Sequence, residues 1–462
     1  MGIKEELREL IEELNRVHTG GLFDGGAWHV ADELPDFVTA QNGYQRHFTK
    51  KARTALRSIA ETVHENDINI SSRIEIGNFE KIVKQCVADL HAEGELDIVN
   101  LNKPVEAVRK LKDRIEDSLS QMQMEFTHYF PAWTLGMETE HPFELGPVTF
   151  MTREQWIDSV DFSQNAINQY LSFPENNARW KDSLKQALRN PADDEDIAGL
   201  AEPIYSAIRD CSSVLKITVK GYEINLSRKV GEIVCKSALD SISLLFEGRE
   251  FFHQQALCNE RLQPVRSSSI IETNGYLWLP GSSVGPRIPR LSYPQVHAFL
   301  ADKSDILEVI GRILNALVDP ATSKYPNLSK RWATALDWMA EGRREKNDAV
   351  ALTKIASSLD VLACGGKFPG ILGMLKNFTN CSEDTIVVTG SAPRTLRQVI
   401  QDIYDSGRSQ ILHGTHFDRL KSFEVWNGYA AYFARLALIE CAVRLNKFTG
   451  VDGDKEFRTM PD

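Results

Sequence analysis

The sequence predicts a mostly helical α+β protein, in which an acidic N-terminal part of mixed α+β structure precedes an all-α C-terminal helical bundle. Apolar residues recur at helical spacing near the N-terminus and through the last third of the chain, whereas short β-rich runs bounded by Gly and Pro are confined to the middle. We expect a mainly helical region at 1–130, a mixed α+β region at 131–295 and a helical bundle at 296–462.

The composition is that of an ordinary globular chain. It has 462 residues, of which 42% are hydrophobic and 25% charged, enough for several cores without disulfides or metals. No apolar run reaches the ~18–20 residues of a membrane span, and the charged start MGIKEELREL differs from a signal peptide. The seven cysteines are scattered without a CxxC, which fits neither a disulfide framework nor a zinc site. We therefore expect a cytoplasmic protein that contacts no membrane.

Charge is distributed unevenly along the chain. The net charge is -11, from 53 basic and 64 acidic residues. Residues 296–462 carry 21 basic and 20 acidic residues, so the acidic excess belongs to residues 1–295. The composition thus excludes a general electrostatic attraction of the whole chain to nucleic acid.

The N-terminal region contains several predicted helices. Leu7, Leu10, Ile11, Leu14 and Val17 have helical spacing, and a glycine-rich break, GGLFDGGAW, follows. Further helical stretches lie around 45–65, 79–92 and 104–126. The basic run Lys50-Lys51-Ala52-Arg53, near His47, could contact a phosphate backbone, although a solvated helix face is the favoured interpretation.

The middle region contains the predicted strands. The turn Gly146-Pro147 precedes VTFM, and Leu215, Ile217 and Val219 alternate with polar residues as in a half-buried strand. Residues 227–246 suit a helix that begins near Ser227. In SIIETNGYLWLP, an Asn274-Gly275 turn between two β-rich runs predicts a hairpin, and GSSVGPRIP after it predicts a loop at a domain boundary.

From about residue 296 the pattern is helical to the end. Four apolar faces are predicted, from residues 306–317, from Leu352 to Leu362, from Leu396 to Ile403, and from Trp426, Tyr429, Phe433, Leu436 and Val443. We expect the third helix to begin through Ser391 and Pro393, a cap and first-turn pair. The segment CGGKFPG at 364–370 follows a helix rather than a strand, so an interhelical turn is favoured over a phosphate loop.

One cluster of polar residues, YDSGRSQILHGTHFD at 404–418, could carry chemistry. Arg408 and His413 are five positions apart, and on a regular helix such residues point ~140° apart. They converge if Ser406-Gly407 breaks the preceding helix, so that Arg408 lies at a helix start and folds back toward His413. His413 and His416 would then share a face, and Gly414 would permit a close approach of backbone or ligand.

The motif gains meaning from its context. With 29 Arg and 11 His in the chain, about 0.7 Arg-x4-His pairs are expected by chance. This single match, however, follows a strongly amphipathic helix and precedes a long aromatic one within the predicted bundle. In that context the C-terminal quarter of the chain, roughly 330–449, resembles HEPN domains, the helical ribonuclease modules of prokaryotic defence and toxin systems. It looks most like the ApeA-like branch, with the helices IASSLDVLA and WNGYAAYFARLALIECAVRL on either side of the motif.

The resemblance implies an RNA-cleaving enzyme without cofactor or metal, in which Arg408 and His413 are catalytic. His413 would take or give a proton while the RNA 2′-OH attacks, and the Arg408 guanidinium would stabilise the charged transition state. The products would be a 2′,3′-cyclic phosphate and a 5′-hydroxyl. HEPN modules commonly pair, so the resemblance also implies a homodimer with a composite site, an RNA substrate such as tRNA, and a phage-derived trigger or an antitoxin.

Two departures from the family pattern keep a second interpretation open. Ser409 follows the Arg where many HEPN domains have Asn, Asp or His, and the nearest acidic candidate is Asp360 rather than Glu. A catalytically inactive HEPN module for dimerisation or for RNA or protein binding is therefore the alternative. Asp360 could orient Arg408 across the bundle, although a solvated helix edge is slightly favoured.

Other side chains around the motif have more than one interpretation. His416 could orient substrate or cap the turn, and Tyr404 and Tyr429 could stack on bases, although core packing is favoured for both tyrosines. A metal-dependent enzyme that uses His413 and His416 is a third reading.

Overall fold

Helices dominate the structure, and the strands are few and short. The structure, a computed structural model, describes residues 2–19, 36–96, 103–122, 124–169, 177–190, 197, 199–260, 266–278, 281–284, 291–418 and 420–461. The chain divides into unit 1, residues 1–126 and 219–229, and unit 2, residues 127–218 and 230–462. The predicted mostly helical α+β class is confirmed. The predicted divisions near 130 and 295 stay predictions.

Unit 1 is mainly helical. Its elements are α1 (Ile3–Thr19), β1 (Asp36–Thr39), β2 (Gln45–Phe48), α2 (Lys50–Asn66), α3 (Ile68–Ser71), α4 (Ile76–Ala92) and α5 (Pro104–Ser120), and β1 and β2 pair antiparallel. The residues from which α1 was predicted are all buried, and most of them pack in one core with Leu56, Phe79 and Val83. The predicted break GGLFDGGAW lies outside the described residues.

Two predicted helix boundaries in unit 1 are wrong. The stretch 45–65 begins with strand β2, and its helix starts only after Thr49, whose hydroxyl accepts a hydrogen bond from the Ala52 amide at 3.2 Å. In the stretch 104–126 the helix ends at Ser120, and a strand rich in aromatic residues follows. In the first case the helix starts later than predicted, and in the second it ends earlier.

A five-stranded sheet lies mostly in unit 2, and residues 125–126 and 219–220 of its strands belong to unit 1. Its strands are β3 (Glu125–Trp133), β4 (Phe143–Leu145), β5 (Val148–Thr152), β6 (Ser213–Lys220) and β7 (Ala256–Leu257), in the order β4-β5-β6-β3-β7. The accompanying helices are α6 (Arg153–Ser159), α7 (Gln164–Gln169), α8 (Trp180–Arg189), α9 (Ala201–Ile208), α10 (Ile224–Phe246) and α11 (Arg249–Gln254). Strands β5 and β6 confirm the two predicted strands. Helix α10 confirms the predicted helix, but it begins at Ile224 rather than near Ser227.

The predicted hairpin around Asn274-Gly275 is confirmed. Strands β9 (Glu272–Thr273) and β10 (Tyr276–Leu277) pair antiparallel, and the two turn residues have φ values of 54° and 80°. Two positive φ values are typical of a type I′ turn, which Asn-Gly favours. A second antiparallel pair joins β8 (Arg266–Ser269) to β11 (Gly281–Val284). The first four residues of the predicted loop GSSVGPRIP are therefore strand, and residues 285–289 of that loop lie outside the described residues.

The remainder of unit 2 is the predicted helical bundle. Its helices are α12 (Tyr293–Asp302), α13 (Ser304–Val318), α14 (Pro326–Arg344), α15 (Asp348–Leu362), α16 (Lys367–Thr379), α17 (Leu396–Gln401), α18 (Gln410–Leu412) and α19 (Glu424–Lys447), with a short strand pair, β12 (Ile386–Val388) and β13 (Arg394–Thr395), before α17. A π-helical segment, Asp402–Ser409, joins α17 to α18. The fully buried Trp332 of α14 donates its indole N–H to the Leu438 carbonyl of α19 at 2.8 Å, which fixes these two helices against each other.

The predicted start of α17 is wrong. The helix begins at Leu396 and is capped by Thr395, not by Ser391 and Pro393. The Thr395 hydroxyl accepts a hydrogen bond from the Gln398 amide, and the Gln398 side chain accepts one from the Thr395 amide at 3.0 Å. This reciprocal capping box satisfies two amides that the helix leaves free, so it determines where the helix starts.

The predicted face of α19 is only partly right. Phe433 is buried, but Trp426, Tyr429, Leu436 and Val443 are half-buried. The buried face consists mainly of small side chains: Ala430, Ala434, Ala437, Cys441 and Ala442. Small side chains allow neighbouring helices to approach closely, and a search for large apolar residues does not detect such a face.

The described helices were also compared with the requirements for crossing a membrane. Among them, no single helix is both long and apolar enough to do so, although α15 and α16, bent by 70° relative to each other, meet the length and composition requirements as a pair.

Candidate active site

The π-helical segment carries Arg408. It continues α17 and leads into α18, so the chain is helical from Leu396 to Leu412. The prediction that Ser406-Gly407 breaks the helix, with Arg408 at a new helix start, is therefore wrong. A π-helical turn is wider than an α-helical one, is rare, and occurs frequently at functional sites. The wider turn, rather than a break, sets the direction in which the Arg408 side chain leaves the helix.

Gly407 allows this segment to lie against α15. A Cβ atom at Gly407 would lie 2.6 Å from Cδ2 of Leu352 and 3.1 Å from the carbonyl oxygen of Asp402. Because real Cβ atoms do not approach other atoms to 2.6 Å, any other residue at 407 would displace the segment or Leu352. The absence of a side chain at this position is what brings Arg408 next to the polar residues of α15.

The Arg408 guanidinium is held by three side chains. Its Nε donates to Oγ of Ser357 at 3.1 Å, and Nη1 donates to the hydroxyl of Tyr404 at 3.1 Å. Its Nη2 lies 3.4 Å from Oδ2 of Asp360. A guanidinium has five N–H groups, so these contacts leave it with unused donors. The side chain is 21% exposed, and a ligand can therefore reach it.

Asp360 is fixed in turn by the connection between α15 and α16. Its Oδ1 accepts a hydrogen bond from the Lys367 amide at 3.0 Å, which leaves Oδ2 facing Arg408. In this connection Cys364, Gly365 and Lys367 adopt left-handed conformations with φ of 49°, 65° and 52°. The first three residues of CGGKFPG thus belong to an interhelical turn, as predicted, whereas residues 367–370 already belong to α16. The favoured interpretation of Asp360 as a solvated helix edge is wrong, since its side chain is only 13% exposed.

Tyr404 belongs to the core, as favoured, and its polar end faces the site. The residue is buried, while its ring lies 5.1 Å from the guanidinium carbon of Arg408. Burial, together with the negative charges of Asp360 and Asp405, raises the pKa of the Tyr404 hydroxyl above its ordinary value. The hydroxyl therefore stays protonated and, while it accepts from Arg408, keeps its own O–H free to donate.

His413 lies at the end of α18 and is exposed. Its amide donates to the Ser409 carbonyl at 3.0 Å, and Gly414, with φ 69°, ends the helix in the left-handed conformation that glycine favours. Gly414 therefore serves as a helix terminator. Within the described part of the chain, the His413 imidazole forms no hydrogen bond or ion pair. It is free to exchange a proton with a bound molecule.

The two motif side chains do not meet within one chain. Arg408 is directed toward Ser357 and Asp360 on α15, and no contact among the described residues joins it to His413. The predicted folding back of Arg408 toward His413 is therefore wrong. Each side chain is nevertheless accessible to a bound molecule.

His416 and Ser409 have local structural roles. The helix ends before His416, so this residue does not share a helical face with His413, contrary to the prediction. The His416 Nε2 lies 2.9 Å from the Asp418 carbonyl oxygen, and its ring contacts that of Phe423 edge to face at 4.9 Å. These contacts agree with the alternative in which His416 caps the turn rather than orients a substrate. Ser409 is half-buried, and its carbonyl accepts the His413 amide.

No metal site is evident around these histidines. Across the described ranges, no group of three or more His, Cys, Asp or Glu residues is arranged to hold a metal ion.

The other candidate positions lie away from this cluster. Tyr429 is half-buried on α19. Lys50 and Lys51 are exposed at the start of α2 while Ala52 is buried, which is the pattern of a solvated helix face.

The sequence reasoning missed two residues of the site. Ser357 binds Arg408 directly, and Gly407 determines how closely the segment approaches α15. A signal for Ser357 was present, because residues three apart on a helix share a face and Ser357 is three positions before Asp360. No comparable signal identifies Gly407, since its importance depends on a contact with Leu352, a residue distant in sequence.

Four exposed apolar side chains lie near His413 in the sequence. They are Leu412, Phe417, Leu420 and Val425, which are 56%, 89%, 95% and 64% exposed, and together we call them the motif surface. Such side chains are available for contact with a partner, because a monomer gains nothing from keeping them in water.

Comparisons with known proteins do not identify a family for this chain. A comparison with protein-family models finds no match, and comparisons with curated proteins and with solved structures find no significant match.

Proposed function

We propose that this protein is a metal-independent endoribonuclease of the HEPN type. The observation that carries the proposal is the placement of a fixed, accessible guanidinium, Arg408, in the same helical run as an exposed and unbonded imidazole, His413. The first group can bind a phosphate with its unused N–H donors, and the second can move a proton.

The reaction needs only the RNA and these two types of side chain. A base removes the proton of a 2′-OH, the oxygen attacks the adjacent phosphorus, and the bond to the 5′-oxygen breaks as that oxygen receives a proton. The products are a 2′,3′-cyclic phosphate and a 5′-hydroxyl, and DNA is not cleaved because it lacks the nucleophile. Arg408 would stabilise the additional negative charge on the phosphate oxygens as it forms.

A homodimer is part of the proposal. The reaction uses one base and one acid, and each chain supplies one exposed motif histidine. Two chains that pair through their motif surfaces would supply two histidines and two arginines at one composite site. Burial of Leu412, Phe417, Leu420 and Val425 in such an interface would remove their apolar side chains from water, which favours association.

The biological role that we propose follows from the resemblance to HEPN domains. The enzyme would act in the cytoplasm as part of an antiphage-defence (abortive infection) or toxin system. Its RNA substrate would be tRNA or another cellular RNA. A phage-derived trigger or an antitoxin would control it.

A specific observation favours a second function. All three guanidinium nitrogens of Arg408 contact protein groups, as in an arginine whose role is structural. Together with Ser409 in the position after the Arg, this supports a catalytically inactive HEPN module that dimerises and binds RNA or a protein.

The test is RNA cleavage by the purified full chain in EDTA, with identification of the product ends. We expect cyclic phosphate and 5′-hydroxyl ends from RNA, intact DNA of the same sequence, and a loss of cleavage in both Arg408→Ala and His413→Ala. His416→Ala is the matched control, because His416 is bonded within its own turn, and it should cleave within about threefold of wild type.

Each other outcome is decisive. Cleavage that is unchanged in both motif variants would show that the site lies elsewhere. Intact RNA, also after addition of phage-infected extract, would favour the binding module.

For the dimer, light scattering should show a twofold mass, and Phe417→Asp should reduce both that mass and the cleavage rate. A monomeric wild-type enzyme with full activity would contradict the composite site.

A further inference from the structure

Two cysteines that are distant in sequence lie together in unit 2. Cys211 belongs to the connection between α9 and β6, and Cys258 directly follows β7. The two thiols form a hydrogen bond with each other, and Sγ of Cys258 lies 3.8 Å from the carbonyl oxygen of Asp210. Both side chains pack in one apolar cluster, in which Cys211 is buried and Cys258 is partly exposed. The proposed active site uses neither of them.

Strand β3 explains how the fold brings these two cysteines together. On one side it pairs with β7, in which Leu257 is opposite Ala132. On its other side the Ser212 amide donates a hydrogen bond to the Ala132 carbonyl at 3.2 Å. Cys258 and Cys211 are each one residue beyond these contacts in the chain. The sheet therefore holds both thiols near the same end of β3.

The two thiols differ in how readily they ionise. The hydrogen bond to Cys258, burial and the negative charge of an ionised Cys258 together raise the pKa of the Cys211 thiol well above its usual range. Cys211 therefore keeps its proton, and Cys258 is the member of the pair that loses its proton first. The Arg153 guanidinium, whose Nη1 donates to the Arg209 carbonyl at 3.1 Å, places a positive charge beside the pair. A partly exposed thiolate near a cation is the setting in which cysteines react.

We propose that Cys258 and Cys211 form a reversible disulfide on exposure to hydrogen peroxide, with Cys258 as the attacking thiolate and Cys211 as the second thiol. The Cys258 sulfur attacks one peroxide oxygen, the O–O bond breaks, and Cys258 becomes a sulfenic acid while the departing hydroxide takes up a proton to form water. The Cys211 sulfur then attacks the sulfenic sulfur, the S–O bond breaks, and a second water leaves with the Cys211 proton. The two thiols lose two electrons, which peroxide accepts, and a dithiol can return them by exchange.

The disulfide would act on the stability of unit 2 and does not depend on the proposed ribonuclease activity. It would close a loop of chain that contains β6, α10 and α11, and this restricts the unfolded chain more than the folded one. We therefore expect oxidation to raise the midpoint of urea unfolding and dithiothreitol to restore the original value. In a reducing compartment such bonds are usually transient and sense oxidants, rather than being permanent parts of the fold.

The test maps the cysteines of the purified full chain before and after treatment with hydrogen peroxide. Remaining free thiols are alkylated in urea, and the peptides are identified by mass spectrometry without a reductant. We expect a peptide pair joined through Cys211 and Cys258, lighter by two hydrogen atoms than the two reduced peptides. Treatment with dithiothreitol before alkylation should remove this species.

Three variants assign the roles of the two thiols. In Cys211→Ser, dimedone should trap a sulfenic acid on Cys258, because the second thiol is gone. Cys258→Ser should leave Cys211 reduced, because a buried, protonated thiol reacts poorly with peroxide. Cys381→Ser is the matched control, since Cys381 is also partly exposed but its thiol donates to the Thr379 carbonyl at 3.4 Å. This control should form the disulfide at a rate within about twofold of wild type.

Three results for the wild-type chain would overturn the proposal. The first is that Cys211 and Cys258 both stay alkylatable while another cysteine is oxidised. The second is a sulfenic or sulfinic acid on Cys258 without a bond to Cys211. The third is a disulfide between two chains, seen as a doubled mass on a non-reducing gel. Because the mapping uses the wild-type chain, a variant that fails to fold, as judged by circular dichroism, does not affect the outcome.

Discussion

Two regions of this molecule each contain an arginine and a histidine that the sequence or the structure singles out, and the two pairs are arranged in opposite ways. In unit 1, Nε of Arg46 donates to Nδ1 of His91 at 2.8 Å, and the His91 Nε2 lies 3.2 Å from Oδ1 of Asn15. In unit 2, Arg408 and His413 do not touch; the arginine is held by other side chains, and the imidazole is exposed.

The unit 1 histidines lie against one another and against neighbouring protein groups. His18 lies 5.6 Å from His91 and 5.7 Å from His47, measured between ring centroids, and its Nε2 accepts the His47 amide at 3.0 Å. Burial, with the positive charge of Arg46 nearby, lowers the pKa of His18 to about 4. The His18 and His91 rings are hydrogen-bonded to neighbouring protein groups, as expected of residues that support the fold.

Under the proposed function, the difference means that direct contact between an arginine and a histidine is a poor sign of catalysis. Both ring nitrogens of His91 and Nε2 of His18 are used by the protein itself, so little of these atoms remains for a substrate. At the motif, the arginine is fixed but keeps unused donors, and the histidine has no partner among the described residues. A group that must exchange protons with a ligand is better recognised by its availability than by its contacts.

The largest expected effect contrasts His413 with His91. We expect His413→Ala to lower the rate of RNA cleavage by about 10²- to 10⁴-fold, the usual contribution of a general acid or base. It should leave the unfolding midpoint unchanged, because the side chain is exposed. His91→Ala should do the reverse. It should destabilise the protein by about 1–3 kcal/mol, because Arg46 loses its acceptor, and leave the cleavage rate per folded molecule unchanged.

Cleavage assays and urea unfolding of the same two preparations test this contrast. A substantial loss of stability in His413→Ala, or a loss of cleavage in folded His91→Ala, would show that the division into a supporting and a chemical cluster is wrong.

The next effect concerns the position of Arg408. We expect Gly407→Ala to destabilise the protein by about 1–3 kcal/mol, because the added methyl group would overlap Leu352. Thermal unfolding measures this change. Leu352→Ala makes room for this methyl group. Leu352→Ala should therefore lower the stability less in the Gly407→Ala variant than in the wild-type protein. Strictly additive effects would mean that the two residues are not coupled.

Much of this architecture could be predicted from the sequence because it depends on local patterns. Helical periodicity identified α1 and the bundle helices, strand alternation identified β6, and Asn274-Gly275 identified the hairpin turn. The start of α17 was missed because two candidate caps lie close together, and only the hydrogen bonds to Gln398 select Thr395.

The site was harder to predict than the fold. Arg408 and His413 were found from spacing and context, but the π-helical turn was not, since the same residues are compatible with an α-helix followed by a break. The π-helical turn depends on packing against α15, where Gly407 meets Leu352. Contacts between segments so distant in sequence have no local signature.

A smaller effect concerns the titration of His18 in the unit 1 histidine cluster. The folded-state pKa of His18, about 4, is below its ordinary value of 6.5, so the unfolded chain binds more protons between these values. The stability contribution of neutral His18 is therefore complete above pH 6.5 and is lost as the pH falls toward 4. Because the residue is about half exposed, we expect the loss to be about 1–2 kcal/mol rather than the full value of the shift.

Urea unfolding from pH 7 to 4 measures this loss. His18→Gln keeps an acceptor for the His47 amide but cannot titrate, so its stability should fall less steeply over the same range. Parallel curves for the two proteins would show that His18 is already solvated in the folded state.

The smallest effect tests whether the Tyr404 hydroxyl acts only by positioning Arg408 or contacts the RNA itself. Tyr404→Phe keeps the buried ring but removes the hydroxyl that accepts from Nη1 of Arg408. Losing one hydrogen bond to a charged group should slow cleavage about 3- to 10-fold by loosening the guanidinium. If the hydroxyl acts only through Arg408, Tyr404→Phe should have no further effect on cleavage in an Arg408→Ala background. An equal loss in both backgrounds would mean that Tyr404 contacts the RNA directly, and the site would then need a third functional group.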